Sequence, residues 1–338
     1  MRTRRIYTLP VIIILLGCLE VEATEELNRL NIDEWDVPYA GRPRDPYVSD
    51  TDEVWFVGQS GHYLGRFTPS SGKFFKRDLE DRPGPHNIIV GNDGIVWYTG
   101  NLRGYIGRYD PVADKITRIC MPDENAHDPH TMAFSADEKY IWFTVQRGNF
   151  VGRLTIEDLS IELIEVTTPH ALPYGIRLAP DGTAWIALLG TNKLAAVNPS
   201  TLKLKEYTLM HPDARPRRLE ITRNSRIWYA DYKRGTIGLY NPANNTNKEW
   251  TLSTGQRSGP YGTALDKQGR LWVVETGVTP NNFVGLDTRS EEIVSVTPIP
   301  SGAGTVRNMD YHAPTDSVWF GTDAGTLGRA TVAKTKQD

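Results

Sequence analysis

The sequence predicts an all-β fold, a seven-bladed β-propeller closed by an N-terminal strand. Three observations carry this prediction: one unit recurs along the chain, the complete unit holds four strand-like segments, and one tryptophan ends an apolar run in every copy. These tryptophans lie 42 to 47 residues apart and are Trp55, Trp97, Trp142, Trp185, Trp228, Trp272 and Trp319. A repeat of roughly 40 to 50 residues with four strands is typical of propeller blades.

The second repeat shows the unit most clearly. A turn signal, Asn92-Asp93-Gly94, separates its first two apolar runs, as in a β-hairpin. Its four predicted strands are His86–Val90, Ile95–Thr99, Ile106–Tyr109 and Lys115–Ile119.

The seventh repeat supplies only three strands before the sequence ends in polar residues. The missing fourth strand has a candidate ahead of the first repeat, where Ile32–Pro38 resembles the fourth-strand segment Lys248–Leu252 of the fifth repeat. We therefore predict that the N-terminal segment pairs with the last blade and leaves no long bare edge.

Composition and repeat continuity set the domain organisation. The chain has 338 residues, of which 39% are hydrophobic, and its net charge is −3. The continuous repeat predicts one domain over residues 24–333 with a tail at 334–338. No basic run of the kind that nucleic acid requires is present, so we expect a small-molecule ligand and a monomeric protein.

The N-terminus predicts export. Three arginines precede the apolar stretch Leu9–Gly17, which is too short to span a bilayer and is typical of a secretory signal. We expect a signal peptide over residues 1–23 and a periplasmic or secreted protein. The alternative is cleavage after residue 17 at a segment that resembles a lipobox, with Cys18 lipidated and the protein attached to the outer membrane. Cys120 then has no partner thiol, so no internal disulfide is expected.

In a propeller, the first strand of each repeat lines a central channel. Six of these strands begin with a proline and the seventh with Val306, and the next residue is always polar or amphipathic. We call these seven positions the channel ring: Arg44, His86, His130, Tyr174, Arg217, Tyr261 and Arg307. Either the arginines form interblade ion pairs, or the ring holds an anionic or carbonyl-rich ligand, since guanidinium is a forked donor to carboxylates.

A second set of positions ends the second strand of each repeat and should share a face with the channel ring, because hairpin neighbours are antiparallel. It includes Asn101, Asp231 and Glu275. The two carboxylates can hold a hard cation or pair with arginines. His86 and His130 come from adjacent blades and can act as a base and an orienting group, although a structural role for both is equally open.

Several catalytic classes lack their motifs. The sequence has no Gly-x-Ser-x-Gly elbow, no paired-cysteine metal motif and no phosphate-binding glycine-rich loop. Nucleophilic serine chemistry and nucleotide binding are therefore poorly supported.

The Asp-Gly-x-x-Trp and Ile-Gly-Arg repeats, with Pro85-His86 and Pro129-His130, resemble the streptogramin B lyase (virginiamycin B lyase) family over residues 30 to 330. Members are seven-bladed propellers that linearise a cyclic depsipeptide. Segments 215–218, 228–232, 275–278 and 306–309 are most similar to exported bacterial relatives.

The resemblance implies a magnesium-assisted elimination in which the ester C–O bond breaks without water. It assigns His130 as base, His86 as orienting or carbonyl-binding group, and Asp128 and Gln146 as the residues near Mg²⁺. The family has a glutamate where this chain has Gln146, so the site has one negative charge fewer for a dication. The family's histidine pair also lies at the end of its chain, whereas here it falls in the second and third repeats.

The expected function is therefore a carbon–oxygen lyase that opens a cyclic ester or depsipeptide. The residues expected to contact its substrate are Arg44, Tyr174, Arg217, Tyr261, Arg307, Asp231, Glu275 and Asn101. Two alternatives stay open: a non-catalytic periplasmic propeller that binds a ligand or protein, and a metal-dependent lactonase.

Overall fold

The computed structural model describes residues 29–49 and 52–332. In this part of the chain, seven four-stranded antiparallel sheets follow one another, which confirms the seven-bladed propeller. The expected signal peptide, Cys18 and the tail at 334–338 lie outside the described residues. No helix within the described ranges is long and apolar enough to cross a membrane.

The strands of the first four blades have the following bounds. Blade one contains β2 (Pro43–Val48), β3 (Val54–Gly58), β4 (Tyr63–Thr68) and β5 (Lys73–Asp78). Blade two contains β6 (Pro85–Val90), β7 (Val96–Gly100), β8 (Tyr105–Asp110) and β9 (Lys115–Cys120). Blade three contains β10 (Pro129–Phe134), β11 (Tyr140–Val145), β12 (Phe150–Thr155) and β13 (Ile161–Glu165). Blade four contains β14 (Pro173–Leu178), β15 (Ala184–Leu188), β16 (Lys193–Val197) and β17 (Leu204–Thr208).

The remaining three blades complete the ring. Blade five contains β18 (Pro216–Ile221), β19 (Ile227–Asp231), β20 (Thr236–Asn241) and β21 (Thr246–Thr251). Blade six contains β22 (Pro260–Leu265), β23 (Arg270–Glu275), β24 (Asn282–Asp287) and β25 (Glu292–Pro298), and the 3₁₀ turn Gly255–Ser258 precedes it. Blade seven contains β26 (Val306–His312), β27 (Ser317–Thr322), β28 (Thr326–Val332) and the N-terminal β1 (Leu30–Asp36).

The closing strand is the one that the sequence predicts. β1 pairs antiparallel with β28 along its whole length, from Leu30 opposite Val332 to Asp36 opposite Thr326. The Trp35 ring stacks on Trp319 of the last blade, with 5.6 Å between ring centroids. It also lies 5.0 Å from the Phe67 ring of the first blade, so β1 packs against both ends of the repeat array.

Within the described ranges, the hydrophobic core forms seven clusters, and each joins the facing sides of two adjacent blades. The repeated tryptophans are buried in these clusters. The glycine of the Ile-Gly-Arg pattern has a packing reason, because an aromatic ring from the second strand covers it. A Cβ on Gly107 would lie 2.1 Å from Tyr98, and one on Gly152 would lie 2.0 Å from Phe143.

The inner strand of every blade carries an irregularity. In each described blade, the pairing between first and second strands shifts register just past the residue that begins the inner strand. Such bulges re-aim side chains and are common next to functional sites. The shift falls beside the channel ring in all seven blades.

Candidate functional site

The channel ring comes together at one end of the central channel. The rings of His86 and His130 lie 3.7 Å apart between centroids, and His130 lies 4.1 Å from Tyr174. The hydroxyls of Tyr174 and Tyr261 share a short hydrogen bond. The Arg217 guanidinium sits 3.5 Å above the Tyr261 ring. Side chains from blades two to six thus form one continuous cluster.

The two remaining members of the channel ring are tied to carboxylates. Arg44 is 3% exposed, and its Nε donates to Asp45 at 2.8 Å while Nη1 donates to Gln59 at 3.0 Å. Arg307 makes a two-pronged ion pair with Asp323, in which Nη2 lies 2.7 Å from Oδ2. Both arginines are therefore held in place before any ligand arrives.

The second strand of each blade ends beside the start of the inner strand. Each residue that begins an inner strand pairs with the last residue of the neighbouring strand, for example Pro85 with Gly100. In three blades, the residue that follows the second strand contacts an arginine of the channel ring. The Tyr232 ring lies 4.3 Å from the Arg217 guanidinium, and Gln59 and Asp323 bond to the arginines described above. Asn101 donates to the Pro129 carbonyl at 3.0 Å and thereby joins blades two and three.

Asp231 and Glu275 are fully buried and bond within their own surroundings rather than to the channel ring. Asp231 Oδ1 accepts the backbone N–H groups of Arg215 at 3.0 Å and Arg234 at 3.1 Å. Burial raises the pKa of this carboxyl, while those amides oppose the shift. Glu275 accepts from Thr254 at 3.0 Å and from Asn282 at 3.2 Å. The described contacts of both carboxylates hold loops in position.

Sequence reasoning missed the next residue of each inner strand. We call five of these positions the channel plug: Asp45, Asn87, Thr131, Arg218 and Asn308. Arg218 is 1% exposed and reaches across the channel. Its Nη1 donates to Thr131 Oγ1 at 3.0 Å, its Nε to the Arg307 carbonyl at 3.2 Å, and its Nη2 lies 3.5 Å from Asp45. Asn87 also donates to Asp45, at 3.0 Å.

The cluster has more positive than negative charge. Its guanidiniums belong to Arg44, Arg217, Arg218 and Arg307, whereas the carboxylates bonded to them are Asp45 and Asp323. Several buried polar atoms also have no hydrogen-bond partner, including Arg44 Nη2, Arg217 Nε and His86 Nδ1. An unpaired buried donor costs about 1–3 kcal/mol, so each of the two guanidinium N–H groups favours an acceptor.

The guanidinium charges also influence the protonation states of the histidines and tyrosines in the channel ring. Burial lowers the pKa of His86 and of His130 well below its usual value, and Arg44 and Arg218 lower both further. Both imidazoles are therefore neutral at pH 7. Burial alone would raise the pKa of Tyr174, but Arg217, Arg218 and Arg44 together outweigh it and lower that pKa. Burial and the neighbouring Tyr174 raise the pKa of Tyr261.

The residues expected near magnesium do not form a cation site. Asp128 is 7% exposed, and its carboxylate accepts the backbone N–H groups of Arg147, at 2.8 and 3.1 Å, and Gly148, at 3.1 Å. Gln146 is half-buried beside this turn. Among the described residues, no group of three His, Cys, Asp or Glu side chains is placed to hold a metal ion. Mg²⁺ is bound by oxygen ligands and negative charge, and the two carboxylates of the arginine-rich cluster, Asp45 and Asp323, are already paired with arginines.

The fold and the cluster define a class: seven-bladed propellers with a buried polar cluster at one end of the central channel. Residues 24–281 match the model of the virginiamycin B lyase family, and the chain belongs to that family. A search of the curated proteins finds no significant match.

Solved structures show the same fold. Virginiamycin B lyase from Staphylococcus aureus superposes with a TM-score of 0.81 at 21% identity, over 90% of this chain and 100% of that one. A streptogramin B lyase gives 0.81 at 20% identity, over 91% and 99% of the two chains. A catalytically inactive variant of the S. aureus enzyme with quinupristin gives 0.81 at 20% identity, over 90% and 100%. In the last two blades of this chain the channel ring carries Tyr261 and Arg307 rather than histidines.

Proposed function

We propose that the protein binds a small carboxylate at the centre of the channel ring. The observation that carries this proposal is the set of buried donors without partners, Arg44 Nη2 and Arg217 Nε, in a cluster with excess positive charge. A carboxylate has two acceptor oxygens and a negative charge, so it satisfies both features at once. His86 Nδ1 offers a third polar contact.

The surroundings favour an organic acid over a bare inorganic anion. The Arg217 guanidinium is held between the rings of Tyr232 and Tyr261, 4.3 and 3.5 Å away. Such stacking fixes the guanidinium plane, and the Tyr232 ring, which is 41% exposed, offers apolar surface beside it. A ligand with a carboxylate and a carbon skeleton uses both the donors and this surface.

Calorimetry and thermal unfolding with succinate, citrate, benzoate and inorganic phosphate test the proposal. We expect at least one carboxylate to bind, and Arg44→Gln and Arg217→Gln each to weaken it about tenfold or more, since a charged hydrogen bond contributes about 1.5–3 kcal/mol. Arg153→Gln is the matched control, because Arg153 also stacks on an aromatic ring, 4.6 Å from Tyr140, and pairs with Glu162 outside the channel. No binding by wild type, or equal binding by all variants, would sink the proposal.

A second candidate is carbon–oxygen elimination, which the family membership and the position of His130 between His86 and Tyr174 support. In the tautomer whose Nδ1–H donates to Thr131 Oγ1, 2.8 Å away, the base would be His130 Nε2. His130 would remove the proton from the carbon that lies between a neighbouring carbonyl and the carbon bearing the ester oxygen. A C=C bond then forms as the alkyl C–O bond breaks, the ester leaves as a carboxylate, and the proton stays on the imidazole until it is released to water. The guanidiniums of Arg44 and Arg217 would stabilise charge on the carbonyl oxygen.

Incubation with quinupristin, followed by mass spectrometry, tests this reaction. Elimination opens the ring without a change in mass, whereas hydrolysis, the lactonase alternative, incorporates solvent oxygen. We expect His130→Ala to abolish ring opening and EDTA to leave it unchanged. Intact quinupristin after incubation with wild-type protein would refute this candidate and leave carboxylate binding standing.

We also propose that the protein acts outside the cytoplasm as a monomer. The basic and apolar pattern of residues 1–23 supports export. Cell fractionation of the wild type and of Cys18→Ala separates a soluble exported form from a lipid-anchored one, because only the anchored form moves from the membrane fraction on substitution.

A further inference from the structure

The opposite end of the channel holds a cavity. It has a volume of about 370 Å³, and all seven inner strands line it. Asn87 and Asn308 of the channel plug form part of its wall, so the plug separates it from the channel ring. Asp310 follows Arg307 by three residues, which places it roughly 10 Å further along β26. The two ends of the channel are thus distinct sites.

One polar side chain in this cavity has an unsatisfied acceptor. Asn308 is 7% exposed, and its Oδ1 has no hydrogen-bond partner. A buried amide oxygen without a donor costs free energy that a ligand N–H can recover. The site therefore favours a donor.

Three charged side chains of the described residues line the cavity: Arg177, Glu220 and Asp310. Arg177 and Glu220 neutralise each other through two hydrogen bonds of 3.0 and 3.1 Å, and Thr263 donates to Glu220 at 2.9 Å. Among the described residues, the Asp310 carboxylate accepts a hydrogen bond from the Val48 N–H at 2.9 Å. The net charge of these groups is therefore that of the Asp310 carboxylate.

The remaining walls are apolar or aromatic. They include Pro46, Ile88, Met132 and Met309, together with the rings of Tyr47 and Tyr311. Aromatic faces attract organic cations, and the volume lies at the lower end of the range of about 300–1,000 Å³ for ligand pockets. The described residues offer no cluster of metal ligands here.

We infer that this cavity binds a small organic ammonium ion, with its N–H groups donated to Asn308 Oδ1 and the Asp310 carboxylate and its carbon atoms against the apolar wall. The site requires none of the residues proposed to bind the carboxylate. The inferred amine site can therefore be tested independently of the proposed function.

Protonation of Asp310 gives the site a pH dependence. Burial raises the pKa of this carboxyl to about 6, with Glu220 acting in the same direction and Arg177 and the Val48 amide opposing it. Tyr47 and Tyr311 are the other titratable groups that line the cavity. Amine binding should weaken about tenfold between pH 7 and pH 5, because the carboxylate is mostly protonated at the lower pH.

Calorimetry with n-butylamine and putrescine at pH 7 tests the inference, with n-butanol as the neutral probe. We expect an amine to bind, n-butanol not to bind, and Asp310→Asn to weaken amine binding at least tenfold. Arg217→Gln, at the other end of the channel, should leave it unchanged. Unfolding curves show that each variant is folded, and a crystal structure with the bound amine shows which end it occupies. Failure of both amines to bind, equal binding by Asp310→Asn, or an amine located at the channel ring would each overturn the inference.

Discussion

Replacing Trp35 by alanine tests how the ring is closed. Trp35 lies on β1, where it stacks on Trp319 and touches Phe67, so its side chain links the last blade to the first. A fully buried Trp→Ala substitution costs about 3–5 kcal/mol, and because Trp35 is only half-buried we expect about 2 kcal/mol. At roughly 2–4 °C per kcal/mol for a chain of this size, the melting temperature should fall by about 4–8 °C.

Thermal unfolding followed by circular dichroism measures this effect. Trp35→Phe is the matched control, since it keeps an aromatic ring in the contact and should lose less than half as much. A truncation of residues 24–40 should lower the melting temperature much further than removal of residues 334–338. A melting temperature for Trp35→Ala within about 1 °C of wild type would refute the closing role of this contact.

Three further outcomes follow from buried groups. Asp310→Asn should stabilise the protein increasingly as pH rises from about 4 to 6. The folded-state pKa of Asp310 is raised to about 6, so its ionisation over this range opposes folding of the wild type. A difference in melting temperature between the two proteins that does not change with pH would contradict this. Gly107→Ala should lower the free energy of unfolding by about 1–3 kcal/mol, because the added Cβ clashes with Tyr98. Chemical denaturation measures this loss, and adding Tyr98→Leu should partly restore stability. An unchanged stability of Gly107→Ala would argue against the close packing. Tyr174→Phe should remove a phenolate absorbance that appears at lower pH than in ordinary tyrosines, and an unchanged titration would contradict the lowered pKa.

The fold could be predicted from sequence because its signals are local and repeated. A tryptophan, a turn and a glycine recur at fixed positions, and each has a packing reason in the structure, as the contact of Gly107 with Tyr98 shows. The closing strand was predictable because the seventh repeat lacks a strand and residues 32–38 resemble one. The same repeat places the seven channel-ring residues at equivalent positions of the inner strands, which is why they lie close together.

The polar interior of the channel was less predictable. The channel plug lies one residue beyond the ring, and the register shift beside it decides which neighbour faces inward. Arg218 reaches Thr131 and Asp45 in other blades, and no local pattern shows a contact over that separation. A polar residue or glycine at this position of each repeat was the available signal.

The assignments taken from resemblance depend on side-chain partners that a sequence does not contain. Asp128 matches a family carboxylate in position, but its oxygens are bonded to the amides of the following turn. Asp231 likewise holds the Arg215 and Arg234 amides. A carboxylate that ends a strand can cap a loop or face the channel, and only the three-dimensional contacts distinguish these outcomes. Magnesium stays a prediction without a donor set among the described residues.

A crystal structure of the protein with succinate tests the central claim most directly. We predict a carboxylate of succinate within hydrogen-bond distance of Arg44 Nη2 and Arg217 Nε, beside the Tyr261 ring and with His86 in contact. Succinate bound elsewhere on the molecule, or a channel ring that holds only water at saturating succinate, would contradict the claim that these arginines form a carboxylate site.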